Sequence, residues 1–275
     1  MFSKSAKAIL DATRQLFKGW WTMVMMATTY TAMLTSLYFF ASTREATVAQ
    51  LILTLLLAVA APGLFFLLQT ASARYMVEPD AGLLLKESAK DFWKLVIISL
   101  PVFAFTVLAL YALSKAQAHL PMGATVTQSQ SISQSQATTV LIQWGQTAVT
   151  TVRYLLLCLV APLLLIHLWI ATSSQGLRPM LKWRSLQGRL REIVREAFAP
   201  ESFLIYAFGF LLFAVIPYVI ILYPTPTKRA WVEVSLLALR LLLSAAIILL
   251  GWITTVGALS ISSAKQASLE RVEEL

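Results

Sequence analysis

The sequence predicts an all-α polytopic membrane protein. Six transmembrane helices are expected as three pseudo-repeated units, each an interfacial amphipathic helix followed by a helical hairpin. Three observations predict it. The chain of 275 residues is 58% hydrophobic and only 13% charged, far from the balance of a soluble domain. Six apolar runs come close to the roughly 20 residues with which a helix crosses ~30 Å of hydrocarbon. One phrase of acid, base and aromatic then recurs three times.

The six runs are Trp20–Ala41, Val48–Thr70, Phe92–Tyr111, Arg153–Ala171, Phe203–Tyr223 and Val232–Ala258. Backbone groups in lipid must be satisfied within their own segment or by a closed barrel. The two-residue alternation of a barrel is missing here, so the runs are expected to be helices.

Charge orients them. Sixteen of the 22 Lys and Arg fall in the N-terminal segment, the second-to-third and fourth-to-fifth connections, and the C-terminal tail. The other side has Arg44, Lys115, Lys228 and Arg229. The positive-inside rule then puts both termini in the cytoplasm. It also accounts for the net charge of +9 without a nucleic-acid partner. The N-terminal segment has no compact apolar core ending in a small-residue cleavage site, so it does not read as a cleavable signal. Without a transit-like segment, the expected location is a bacterial inner (plasma) membrane.

The repeated phrase is "LDATRQLF" (Leu10–Phe17), "KESAKDFW" (Lys86–Trp93) and "REIVREAF" (Arg191–Phe198). Asp11, Glu87 and Glu192 hold the acid position, Arg14, Lys90 and Arg195 the base, and Phe17, Trp93 and Phe198 the aromatic. Each copy precedes an odd-numbered span. In the first, Lys4, Lys7, Asp11, Arg14 and Lys18 step by three and four, while Phe2, Ala6, Ile9, Leu10, Leu16 and Phe17 take the other face. That is the period of an amphipathic helix, expected to lie at the interface with its apolar face in the acyl boundary. The acid and base are spaced to pair along the helix, and the aromatic to anchor at headgroup level.

Even spans also close alike, on "TASAR", "ATSSQ" and "SISSAK", and Pro62 and Pro162 sit in matching "AAP" and "VAP". One membrane domain is therefore expected over 1–275. Its repeats are 1–78, 79–178 and 179–262, followed by a polar tail over 263–275. Mitochondrial carriers also have three hairpins, but their amphipathic helix lies between the two spans of a repeat, whereas here it precedes the first. An extracytoplasmic Ser/Gln/Thr-rich loop is expected over 114–151, either unstructured or extended along a partner with Trp144 at the interface.

Few residues carry candidate chemistry. Arg240 stands about nine residues into the sixth span, where an intramembrane Arg marks either a functional site or a snorkelling side chain. His167, in the fourth span, can relay a proton or bond a neighbouring helix. Thr28, Thr31 and Thr35 belong to a hydroxyl-rich first span that can face a polar pathway or pack against other helices. The prolines of four consecutive spans, Pro62, Pro101, Pro162 and Pro217, suit curved packing or kinks around a cavity. Cys158 is expected to fill space as a buried thiol.

Two histidines and one cysteine far apart predict no metal and no cofactor, and neither a phosphate loop nor a hydrolase motif occurs. The acidic residues lie almost entirely outside the spans, so no proton- or sodium-coupled site built on buried carboxylates is expected. The sequence thus points away from an enzyme. It favours a scaffold or accessory subunit that binds other membrane proteins or lipids, with the bilayer itself as a partner. The alternative is a carrier or channel for a small anionic or lipid-like solute.

Overall fold

The computed structural model describes residues 2–43, 47–78, 80–119, 134–176, 183–224 and 229–273. Among them every regular element is helical. The helices are α1 (Phe2–Lys18), α2 (Trp20–Ser42), α3 (Val48–Arg74), α4 (Ala81–His119), α5 (Gln134–Leu155), α6 (Ala161–Gln175), α7 (Trp183–Ala197), α8 (Pro200–Phe210), α9 (Ile216–Leu222) and α10 (Ala230–Glu273). Among the described residues six segments are long and apolar enough to cross a membrane: Trp20–Ser42, Val48–Arg74, Ala81–Ala118, Trp144–Ser174, Pro200–Leu222 and Ala230–Lys265. Each of the six expected runs lies within or closely overlaps one of these.

Local chemistry sets several boundaries. Thr47 and Gln50 form a capping box at the start of α3: the Gln50 backbone amide donates to the Thr47 hydroxyl (3.3 Å) and the Thr47 backbone amide to the Gln50 side-chain oxygen Oε1 (3.0 Å). Two orphan donors of the first turn are satisfied this way. The Asp80 carboxylate accepts from the Leu83 amide at 2.9 Å and starts α4. Gly176, at φ +80°, closes α6, with its amide donating to the Thr172 carbonyl. Only glycine enters that left-handed conformation without strain.

Two prolines are accommodated by the same device. A π turn over Leu156–Val160 joins α5 to α6 and ends two residues before Pro162. Another over Leu211–Val215 joins α8 to α9 and ends two residues before Pro217. The amides of Ala161 and Ile216 reach back five residues, to Leu156 and Leu211. Widening the helix just ahead of the ring relieves its clash with the preceding turn. The sequences there, "LLCLVAP" and "LLFAVIP", share four of seven positions. Cys158 lies in the first π turn and is exposed, against the expectation of a buried filler, because that turn presents its third residue outward.

The chain forms two compact units, Met1–Ile97 with Ile166–Leu275, and Ile98–Leu165. In the smaller unit, the Arg153 guanidinium donates to the Gln117 side-chain carbonyl at 3.2 Å, tying α5 to α4. Helix covers both ends of the segment expected as a loop over 114–151, through His119 and again from Gln134. Val140, Trp144, Ala148 and Val152 recur every fourth residue, a helical period rather than the extended alternation anticipated.

In the larger unit α10 is central, with α1, α3, α8 and α9 around it, while α2 packs on α3 and α1. Lipid tails are as apolar as the side chains, so close packing and polar ties hold such helices together. Glycine makes the packing close. A Cβ on Gly209 would stand 2.8 Å or less from Thr255 side-chain atoms, and one on Gly251 3.1 Å from Leu212 and Phe213. Leu16, Met26, Leu68, Ala71, Tyr75, Leu84, Leu249 and Ile253 form one core cluster, contributed by α1, α2, α3, α4 and α10.

The helices carrying the repeated phrase differ in form. α1 and α7 each stop before their span, at Gly19 and at Phe198–Ala199, whereas α4 runs unbroken through its copy. No Gly or Pro stands between Gly82 and Pro101 to interrupt it. α1 turns a narrow stripe of mostly small residues inward. Ser5, Ala8, Ala12 and Leu16 are buried, while Leu10 and Phe17 remain 49% and 57% exposed. Small side chains permit the near approach of α10 and α8, and the bulkier apolar stripe stays outside.

Candidate functional site

The most polar junction of the larger unit stands where α3 ends. Arg74, the last residue of α3, places Nη2 2.5 Å from Asp91 Oδ2 and Nη1 3.6 Å from Glu87 Oε2, both on α4. The same Nη2 donates to the Ser173 carbonyl, in the last turn of α6, at 3.1 Å. One guanidinium therefore ties three helices and satisfies a carbonyl that α6 leaves open at its C-terminus. The Lys94 ammonium pairs with the other Asp91 oxygen. Asp91 is 6% exposed, which requires this compensation, since an unpaired buried carboxylate is costly. On the same three helices the hydroxyls of Ser72, Ser88 and Ser173 are buried without a hydrogen bond among the described residues.

Tyr75, the next residue, is 2% exposed and faces another junction. Its hydroxyl lies 3.4 Å from the Ala12 carbonyl of α1 and 3.5 Å from the Ile253 carbonyl of α10, with one proton for both. Burial pushes its ionisation up, so the phenol stays neutral as a donor. Six residues earlier, on α3, the Gln69 side chain accepts from Trp252 Nε1 at 2.7 Å. Trp252 packs edge-on against Phe213, ring centres 5.2 Å apart.

The residues singled out from sequence are dispersed. Arg240 donates to the Tyr223 backbone carbonyl just after α9 and lies 5.8 Å from the Tyr223 ring centre. His167 Nε2 lies 3.3 Å from Ser202 Oγ, both buried. Ser202 and Tyr223 stand at opposite ends of one span, roughly 30 Å apart at 1.5 Å per residue, so Arg240 and His167 share no site. Thr28 and Thr31 are exposed, and their hydroxyls donate to Val24 and Ala27 in their own helix. Thr35 is exposed as well. A hydroxyl turned onto its own backbone leaves a surface that lipid tolerates.

Within the repeated phrase, Asp11 and Arg14 form no ion pair among the described residues, and Glu87 pairs with Arg74 of α3. Phe17, Trp93 and Phe198 are 57%, 46% and 44% exposed. Lys90, Glu192 and Arg195 are exposed too.

Asp91 supplies a buried carboxylate where none was expected. The sequence placed the span start at Phe92, but α4 begins eleven residues earlier, and Leu84, Ser88, Asp91 and Leu95 make one buried stripe along it. Their spacing of four, three and four was the available signal. Among the described residues no group of His, Cys, Asp and Glu is placed to hold a metal. Compared with protein-family profiles, curated proteins and solved structures, the chain matches none.

Proposed function

We propose that this protein is a non-enzymatic membrane scaffold or accessory subunit that binds other membrane proteins or lipids. We place it in a bacterial inner membrane with both termini cytoplasmic. The observation that supports this reading most is how the polar side chains are used. Arg74, Asp91, Gln69, Trp252, His167, Ser202 and Arg240 each join one helix to another, whereas a transport path needs such groups gathered around one route.

We also read the chain as one unit used three times. The pattern of short helix, break and span in the first and third copies supports it, and the unbroken α4 is the divergent copy. Gentle extraction of the tagged protein from its native membrane, followed by sizing and mass spectrometry, tests the function. A stoichiometric membrane-protein partner is the expected result. A solitary particle that carries an anion across vesicles would replace this reading with the carrier.

A further inference from the structure

α1 has three stripes. Ser5, Ala8, Ala12 and Leu16 are buried. Beside them Ala6, Ile9, Leu10 and Thr13 form one wall of a cleft whose other wall is Phe208, Leu211 and Leu212, about 370 Å³ in volume and almost wholly apolar. Beyond that wall Lys4, Lys7, Arg14 and Lys18 are exposed and make no ion pair among the described residues. Lys7 precedes Leu10 by three residues and Arg14 follows it by four, so both cations flank the cleft wall on the helix surface.

We propose that this cleft holds an acyl chain of one anionic phospholipid, whose phosphate meets Lys7 and Arg14. Two independent features support it. The second wall of the cleft takes in Leu211 and Leu212, the first residues of a π turn, and π turns recur at functional positions. The cationic stripe lies beside an apolar trough, the arrangement that suits a molecule with a negative head and a hydrocarbon tail. A partner protein's helix would use the trough but has no need of the cations. The inference deepens the lipid-binding side of the function proposed above. Its test is separate, because partner capture decides the scaffold and lipid retention decides this seat.

The full-length protein, purified in detergent and stripped of lipid, would be titrated with dioleoyl phosphatidylglycerol or dioleoyl phosphatidylcholine. Bound lipid is then counted by native mass spectrometry. Phosphatidylglycerol is expected to bind roughly tenfold more tightly. Lys7→Gln with Arg14→Gln, both exposed and harmless to packing, should bring the two lipids level. Ala6→Phe, which fills the cleft, should weaken both lipids severalfold at an unchanged thermal midpoint, and Thr13→Phe serves if that variant misfolds. Equal binding of the two lipids by the wild type overturns the proposal, as does a preference that survives the double substitution. It is likewise overturned if Ala6→Phe leaves lipid retention intact and instead releases a co-purifying protein.

Discussion

The Tyr75 hydroxyl oxygen lies 2.0 Å from where a Cβ on Gly257 would stand, and the ring carbon bearing it 2.6 Å away. The phenol thus occupies the space that α10 frees by having no side chain there. Its hydrogen bonds to Ala12 and Ile253 are long, so shape rather than hydrogen bonding dominates this contact.

That ranking is measurable. Gly257→Ala should cost about 1–3 kcal/mol through overpacking, and Tyr75→Phe no more than about 1 kcal/mol. Thermal midpoints in detergent read both. In a Tyr75→Ala background the Gly257→Ala cost should largely vanish, because the two positions share one volume. A phenol deletion costlier than the glycine substitution would reverse the ranking.

Alkaline pH tests the same residue. Burial raises the Tyr75 ionisation above its ordinary 10.0. A raised folded value means that its stabilisation is intact below pH 10 and is lost as pH climbs toward the folded value. Wild type should therefore lose stability above pH 10 more steeply than Tyr75→Phe. Ultraviolet difference titration should show that, of the eight tyrosines, one fewer ionises only on unfolding in Tyr75→Phe than in the wild type.

Arg74 and Asp91 make a test of the opposite kind. Removing the cation as Arg74→Gln leaves a buried carboxylate with Lys94 alone, at an expected cost of about 2–3 kcal/mol. Arg74 is itself one-fifth exposed, which holds the cost below that of a fully buried pair. The double variant Arg74→Met with Asp91→Leu should be more stable than Arg74→Gln, since no buried carboxylate is stranded and the charges left over, Lys94 and Glu87, both reach solvent. A double variant worse than either single one would mean that the ion pair stabilises the junction outright.

Arg240→Ala distinguishes a cap from a ligand site. Loss of the bond to the Tyr223 carbonyl should cost about 0.3–1 kcal/mol, with anion flux in proteoliposomes the same as for wild type. Anion flux that is present in the wild type and absent in the variant would restore Arg240 as a transport residue.

Gly209→Ala should be among the most damaging small substitutions, because its Cβ meets three side-chain atoms of Thr255. Thr255→Gly in the same chain should recover part of the lost thermal midpoint, as two contacting positions do not act additively.

How much was legible follows the range of each interaction. The spans were read from runs of apolar residues, a property of each segment alone. Asp91 was hidden by a boundary set too late, although its stripe with Leu84, Ser88 and Leu95 was readable. The fates of Arg74 and Arg240 depend on which helix end lies nearby, and that belongs to packing between segments. Gly209 and Gly257 carry no local signal, since only the neighbour's side chain shows why a Cβ is excluded.

α10 joins these contrasts in a single helix. From Val232 to Leu243 its large apolar residues other than Leu236 are 40% exposed or more, while Ile253, Val256, Ala258 and Leu259 are fully buried around the notch at Gly257. A library of variants along this one helix should therefore show a steep divide in tolerance. Its first three turns should accept most apolar replacements, and the three turns from Leu249 should accept almost none, as if an interchangeable shaft ended in a cut key.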